Sequence, residues 1–238
     1  MASLDSVRLK HQRAKDHFEE YSREIAAFFD SDTGELALQP ESTGQQHKYT
    51  FGPTTAIPPK LALIARDCIQ CLRTCLDYLV WELVAVAGHQ PGRSNMFPIT
   101  LSEHDFNNAV TKQRRLAGVD PGAIALIENV QPYRLSPNDV NRSPLAVLEE
   151  LTNINKHRRM ILTSFNSATF QDAPMFPARS IAFSMGPSPE QMEVAGRIGY
   201  FIAIQDGAWA GMEVSSLLNA VNAHIGRDIL AKFRPLFP

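Results

Sequence analysis

Residues 60–88 constrain this chain more than any other segment. Leu61, Ile64, Cys68, Cys71, Cys75, Leu79 and Leu83 recur at helical spacing, and Ile69, Leu72, Leu76 and Val80 widen the stripe. A face that wide needs neighbours on several sides, so the segment is expected to be the long central helix of a helical bundle. Gly88 and Pro91 mark its end. Its most apolar part, residues 78–88, is short and carries Glu82, which argues against a bilayer span.

The flanking pattern is helical first and strand-like later. Val7, His11, Ala14, Phe18, Tyr21, Ile25 and Phe28 alternate steps of four and three, predicting a helix over about 5–29 that stops at Asp32 and Gly34. His47, Tyr49 and Phe51 alternate after a first extended run over 35–39, and Gly44 between the two runs suggests an antiparallel hairpin. Thr100 with Glu103, or Ser102 with Asp105, offers a capping box for a helix reaching about Leu116. Asp120-Pro121 opens a short helix to about Asn129, and Ser143-Pro144 opens another to about Met160. Beyond that point the period becomes two, at Ile161, Thr163 and Phe165, at Ile181, Phe183 and Met185, and from Val194 to Ile204. Asp206-Gly207 reads as a turn, and a last helix is expected over about 212–233. The fold class is therefore α+β, mainly α. It is a helical bundle around a long central helix, with an N-terminal β-hairpin and a small antiparallel sheet before the C-terminal helix. One domain over 1–238 is expected, its helical part about 1–160 and its strand-rich part with the closing helix about 161–238.

Composition limits the function classes. The net charge is −2 over 238 residues, whereas a domain that grips nucleic acid without sequence preference is normally basic. A local basic patch is still compatible with that balance. The start of the sequence has no basic-then-apolar leader pattern. Three cysteines within residues 68–75 suit a reducing cytoplasm. They lie at i, i+3 and i+7 and spread along about 10 Å of helix, so they read as core residues rather than as ligands converging on one ion. The seven histidines show no HxxxH pair, and none has a glutamate three residues before it. Walker, dinucleotide-fingerprint and nucleophile-elbow patterns are absent as well. No cofactor and no metal are expected.

Two groups of polar residues stand out. Arg73 and Asp77 are four apart on the central helix, and Asp77 lies among Leu76, Leu79 and Val80, where an unpaired carboxylate would be expensive. They read either as a simple ion pair or as part of a polar cluster in a groove. Lys156, His157, Arg158 and Arg159 end the 143–160 helix. Cations there complement the helix dipole, and they could equally form an anion-binding patch with Lys112, Arg114 and Arg115.

The run Leu72-Arg73-Thr74-Cys75-Leu76-Asp77-Tyr78-Leu79 resembles the LRxxLDxL helix of an uncharacterised bacterial family of actinobacterial type. Phe97-Pro98-Ile99, Arg115-Leu116-Ala117-Gly118, Gln131-Pro132-Tyr133 and the stretch from Leu148 to Arg158 follow in the family's order, over about 60–160. The resemblance implies a shared fold and a shared candidate cluster of Arg73, Asp77, Lys156, His157 and Arg158, but no activity. Asn155 stands where that family usually has aspartate, and Tyr78 where it usually has histidine. A HEPN-like fold is compatible with the helical pattern. The arginine-to-histidine spacing of HEPN ribonucleases, however, is absent.

The leading expectation is a non-enzymatic cytoplasmic protein that binds a protein partner or assembles into a homo-oligomer, away from membranes. The alternative is a nucleic-acid or phosphate-ligand binder, with nuclease activity left open, using Arg73/Asp77 and Lys156–Arg159. A third is a small-molecule enzyme whose site has no sequence signature.

Overall fold

The structure, a computed structural model, describes residues 3–31, 35–40, 46–157, 162–170, 176–177, 181–184, 196–205 and 211–237. The protein is mainly helical, as the sequence pattern requires. It comprises two compact units. The first contains Met1–Tyr21, Leu63–Arg159 and Ser215–Pro238, and the second contains Ser22–Ala62 and Met160–Val214.

Helix α1, Asp5–Ser31, begins in the first unit, and α2, Pro59–Val86, supplies most of its apolar surface. Ile64, Ala65, Cys68, Ile69, Leu72, Cys75, Leu76, Leu79, Val80, Leu83 and Val84 are all buried, so the wide stripe is a buried face. Each large side chain among them stabilises the fold by roughly 1.5–3 kcal/mol. The cysteines are free thiols inside this packing. Cys68 Sγ donates to the Ala14 carbonyl at 3.3 Å and Cys75 Sγ to the Val7 carbonyl at 3.4 Å. Those two contacts, with Ser6 Oγ donating to Glu82 at 2.9 Å, run α1 antiparallel to α2.

Helix α3, Glu103–Thr111, is capped by Ser102, whose hydroxyl accepts from the Asp105 amide at 3.1 Å. It ends five residues before the Leu116 expected from the sequence. Arg114 turns the chain with a φ of 53°, and the Arg115 amide reaches back to the Ala109 carbonyl. Asp120 caps α4, Pro121–Asn129, by accepting from the Gly122 amide. The short helix α5, Pro132–Leu135, was not anticipated, although proline at its first position is a recognised start signal. A 3-10 turn, Val140–Arg142, precedes α6, Pro144–His157. Helix α7, Val214–Ala223, continues through a π-helical stretch, His224–Leu230, into a final α turn, Ala231–Phe233. Periodicity alone gave no sign of the π-helical stretch. None of the helices among the described residues is long and apolar enough to cross a membrane.

In the second unit the backbone is extended over β1 (Glu35–Pro40), β2 (Gln46–Gly52), β3 (Leu162–Phe170), β4 (Phe176–Pro177), β5 (Ile181–Ser184) and β6 (Gly196–Ile204). Pairings are antiparallel, in the orders β1-β2-β5 and β4-β3-β6. Leu38 lies opposite Tyr49, and Ala168 opposite Ile198. Ile202, Ala203 and Ile204 are buried at the end of β6. The Asp206-Gly207 turn and the stops at Asp32 and Gly34 lie outside the described residues.

Candidate functional site

The helix pair singled out in the sequence is a backbone clamp. Arg73 Nη2 donates to the Phe97 carbonyl at 2.8 Å, and the Phe97 amide donates to Asp77 Oδ1 at 2.9 Å. The two side chains also pair with each other at 3.2 Å. Both polar groups of one residue, in a segment with no helix or strand of its own, are thus satisfied by two residues one helical turn apart. The Arg73 side chain is only 8% exposed, and its Nη1 is buried with no hydrogen-bond partner among the described residues. Glu149 on α6 stands 4.0 Å from Arg73 Nε.

Two further buried side chains hold the same segment. Gln131 accepts from the Thr100 amide and hydroxyl through Oε1 and donates through Nε2 to the Pro98 and Ile127 carbonyls. Asn95 donates to the Arg115 and Ala117 carbonyls and accepts from the Gly92 amide. Three of the motifs behind the family resemblance, LRxxLDxL, FPI and QPY, therefore meet around residues 95–100. Their shared task is to position backbone. Lys156 and His157 are the last two residues of α6, about two turns beyond Glu149. Their side chains and all of Arg158 and Arg159 lie outside the described residues.

A different group of residues lines a cavity. It has a volume of about 580 Å³ and lies between α1 and the C-terminal helix, within the first unit. Leu4, Val7, Ala223 and Leu230 contribute apolar wall, and Arg8, Lys15, Arg227 and Arg234 contribute four cations. None of its lining residues is acidic. Arg8 has an exposed partner in Asp5 at 3.7 Å. The nearby Asp228 carboxylate is engaged by His224 Nδ1 at 2.9 Å.

His11 and Gly226 set the closeness of the two walls. The imidazole Nε2 lies 3.3 Å from the Asn222 carbonyl, which fixes Nε2 as the protonated nitrogen of the neutral ring. Burial pushes the His11 pKa below its ordinary value; the Asn222 carbonyl opposes this, and Lys15 adds to the lowering. Gly226 sits in the π-helical stretch, a feature often found at functional sites. Sequence reading placed His11 on an apolar face and found none of the four cations. The usable signal was their spacing: Arg8 and Lys15 are seven apart, as are Arg227 and Arg234, so each pair shares one helix face.

Among the described residues no group of three histidine, cysteine or acidic side chains could hold a metal ion. No protein-family model, no curated protein and no solved structure matches the chain.

Proposed function

We propose that this protein binds an anionic small molecule, a phosphate-bearing ligand, in the cavity between α1 and the C-terminal helix. This is the phosphate-ligand reading left open by the sequence, moved from the Arg73 and Lys156 groups to Arg8, Lys15, Arg227 and Arg234. One observation carries it: a chain of net charge −2 gathers four cations and no acid around one cavity. Like charges around one cavity repel one another, and a bound anion relieves that repulsion. Within this reading the hairpin and small sheet complete an α+β fold of the actinobacterial-type family that the motifs resemble.

The test is thermal unfolding in increasing phosphate and pyrophosphate at constant ionic strength, with chloride as control. A ligand that binds only the folded state raises Tm with concentration. The reading expects a rise that the double reversal Arg8→Glu/Arg227→Glu abolishes. No rise above the chloride control would refute it.

Association with a protein surface is a second reading, supported by Tyr78 and Trp81. These are neighbours on α2 and remain 41% and 46% exposed. A concentration-dependent dimer lost in Tyr78→Ser/Trp81→Ser would support it, and a monomer at all concentrations would exclude self-association.

A further inference from the structure

We infer that the ligand is a linear chain of phosphates rather than a single phosphate group, an inference that rests on the anion-binding reading above. It comes from the order of the cations along the groove. His11 on α1 meets Asn222 and Gly226 on the C-terminal helix. At the N-terminal end of α1, Ser3 and Ser6 bind Glu82 near the end of α2. Leu236, just beyond the C-terminal helix, lines a cavity with Leu83 and Val86 at that same end of α2. The C-terminal helix therefore runs antiparallel to α1.

In that register Lys15 stands at one end of the groove and Arg234 at the other, with Arg8 and Arg227 facing each other between them. Seven residues of helix advance about 10 Å, so the cations occupy three levels spread over roughly 20 Å. A single phosphate can reach one level, whereas a phosphate chain reaches successive levels. The lining contains no phenylalanine, tyrosine or tryptophan. Sites that hold single-stranded nucleic acid place bases on such rings. The groove instead pairs cations with an aliphatic floor, and it contacts a backbone of repeated anions without reading bases.

The experiment measures binding of orthophosphate, tripolyphosphate, long-chain polyphosphate and an oligothymidylate by calorimetry at fixed ionic strength. Wild type is compared with Lys15→Ala/Arg234→Ala and with Arg8→Ala/Arg227→Ala. All four residues are exposed, and circular dichroism checks that each variant is folded. Affinity is expected to rise from orthophosphate to tripolyphosphate to the long chain. Losing the two end cations is expected to weaken the long chain by about tenfold or more, one charge-assisted contact being worth about that factor. The same loss should weaken tripolyphosphate less than the long chain, while losing the middle pair should weaken both. Orthophosphate binding as tightly as the chains would overturn the inference and leave the anion-binding reading standing. Oligothymidylate binding more tightly than polyphosphate would overturn it in favour of nucleic acid. No binding of any anion would remove both.

Discussion

A β-carbon placed on Gly226 would lie 2.7 Å from Cε1 of His11 and 3.3 Å from its Nε2. Real β-carbons essentially never come that close to another heavy atom, and the imidazole cannot simply swing aside. It is buried, and it is tied to the Asn222 carbonyl. The absence of a side chain at 226 is thus what lets the first and last helices of the first unit close on one another.

Gly226→Ala is expected to destabilise the protein despite the better helix propensity of alanine. Overpacking a buried contact costs about 1–3 kcal/mol, against about 1 kcal/mol gained from propensity. Urea denaturation should show a net loss of about 1 kcal/mol, and His11→Ala should recover part of it when combined with Gly226→Ala. A variant more stable than wild type would mean that the contact does not constrain the helices.

His11 should make stability depend on pH in the mildly acidic range. Folding lowers its pKa below the ordinary 6.5, mainly through burial. The unfolded chain therefore takes up the proton first as pH falls. His11's contribution is fully present above about 6.5 and is lost as pH drops from there towards the folded value. The groups that face it are Lys15 and Arg8 on α1, and Asn222 and Arg227 on the C-terminal helix. A bound anion would offset these cations and raise the folded pKa, so ligand affinity should increase over the same interval. Chemical denaturation from pH 7.5 to 5, wild type against His11→Asn, checks this; identical pH profiles would exclude His11 as the source.

The Arg73–Asp77 clamp should govern stability and leave ligand binding untouched. Arg73→Met takes the Arg73 donor from the Phe97 carbonyl and removes the ion pair with Asp77. Removing one partner of a buried pair costs 3–5 kcal/mol, and with Asp77 30% exposed we expect about 2–3 kcal/mol. Asp77→Asn keeps an oxygen for the Phe97 amide and should cost about 1 kcal/mol. Loss of anion binding in a fully folded Arg73→Met protein would contradict the clamp assignment.

The Cys68 and Cys75 thiols should be inert while the protein is folded. Burial pushes the Cys68 and Cys75 thiols up to about 12, with Cys71 adding to the shift. Almost no thiolate then exists at pH 8, and the thiolate is the nucleophile. Iodoacetamide followed by mass spectrometry should find no adducts on Cys68 or Cys75 in native protein and adducts on both after unfolding. Rapid labelling of native protein would show that α1 separates readily from α2.

The helices were legible in the sequence because their apolar positions repeat regularly. The wide stripe of α2 needs only its own spacing to be read, and so do the proline-marked starts at 121 and 144. The early stop of α3 was not legible, because it depends on Arg114 adopting a left-handed conformation that glycine usually supplies. Arg73 and Asp77 could be read as a pair, but not as a clamp. Their target is the main chain of Phe97, and backbone groups leave no trace in side-chain patterns. The cation groove escaped for a related reason: Arg8 and Arg227 become neighbours only once the helices pair, and an i, i+7 pair of basic residues on one helix usually means a solvated face.

The contact between His11 and Asn222 joins positions 211 residues apart. At usual elongation rates the ribosome takes about 10–40 s to make the chain between them. Once α2 has been made, α1 can pair with it through Cys68 and Cys75, but for the rest of that interval it lacks the C-terminal helix. The cavity needs walls from both helices, so capture of the proposed anion would begin only after translation has passed residue 234. A nascent chain stalled before residue 214 would carry Arg8 and Lys15 in α1 and lack the second wall of the cavity.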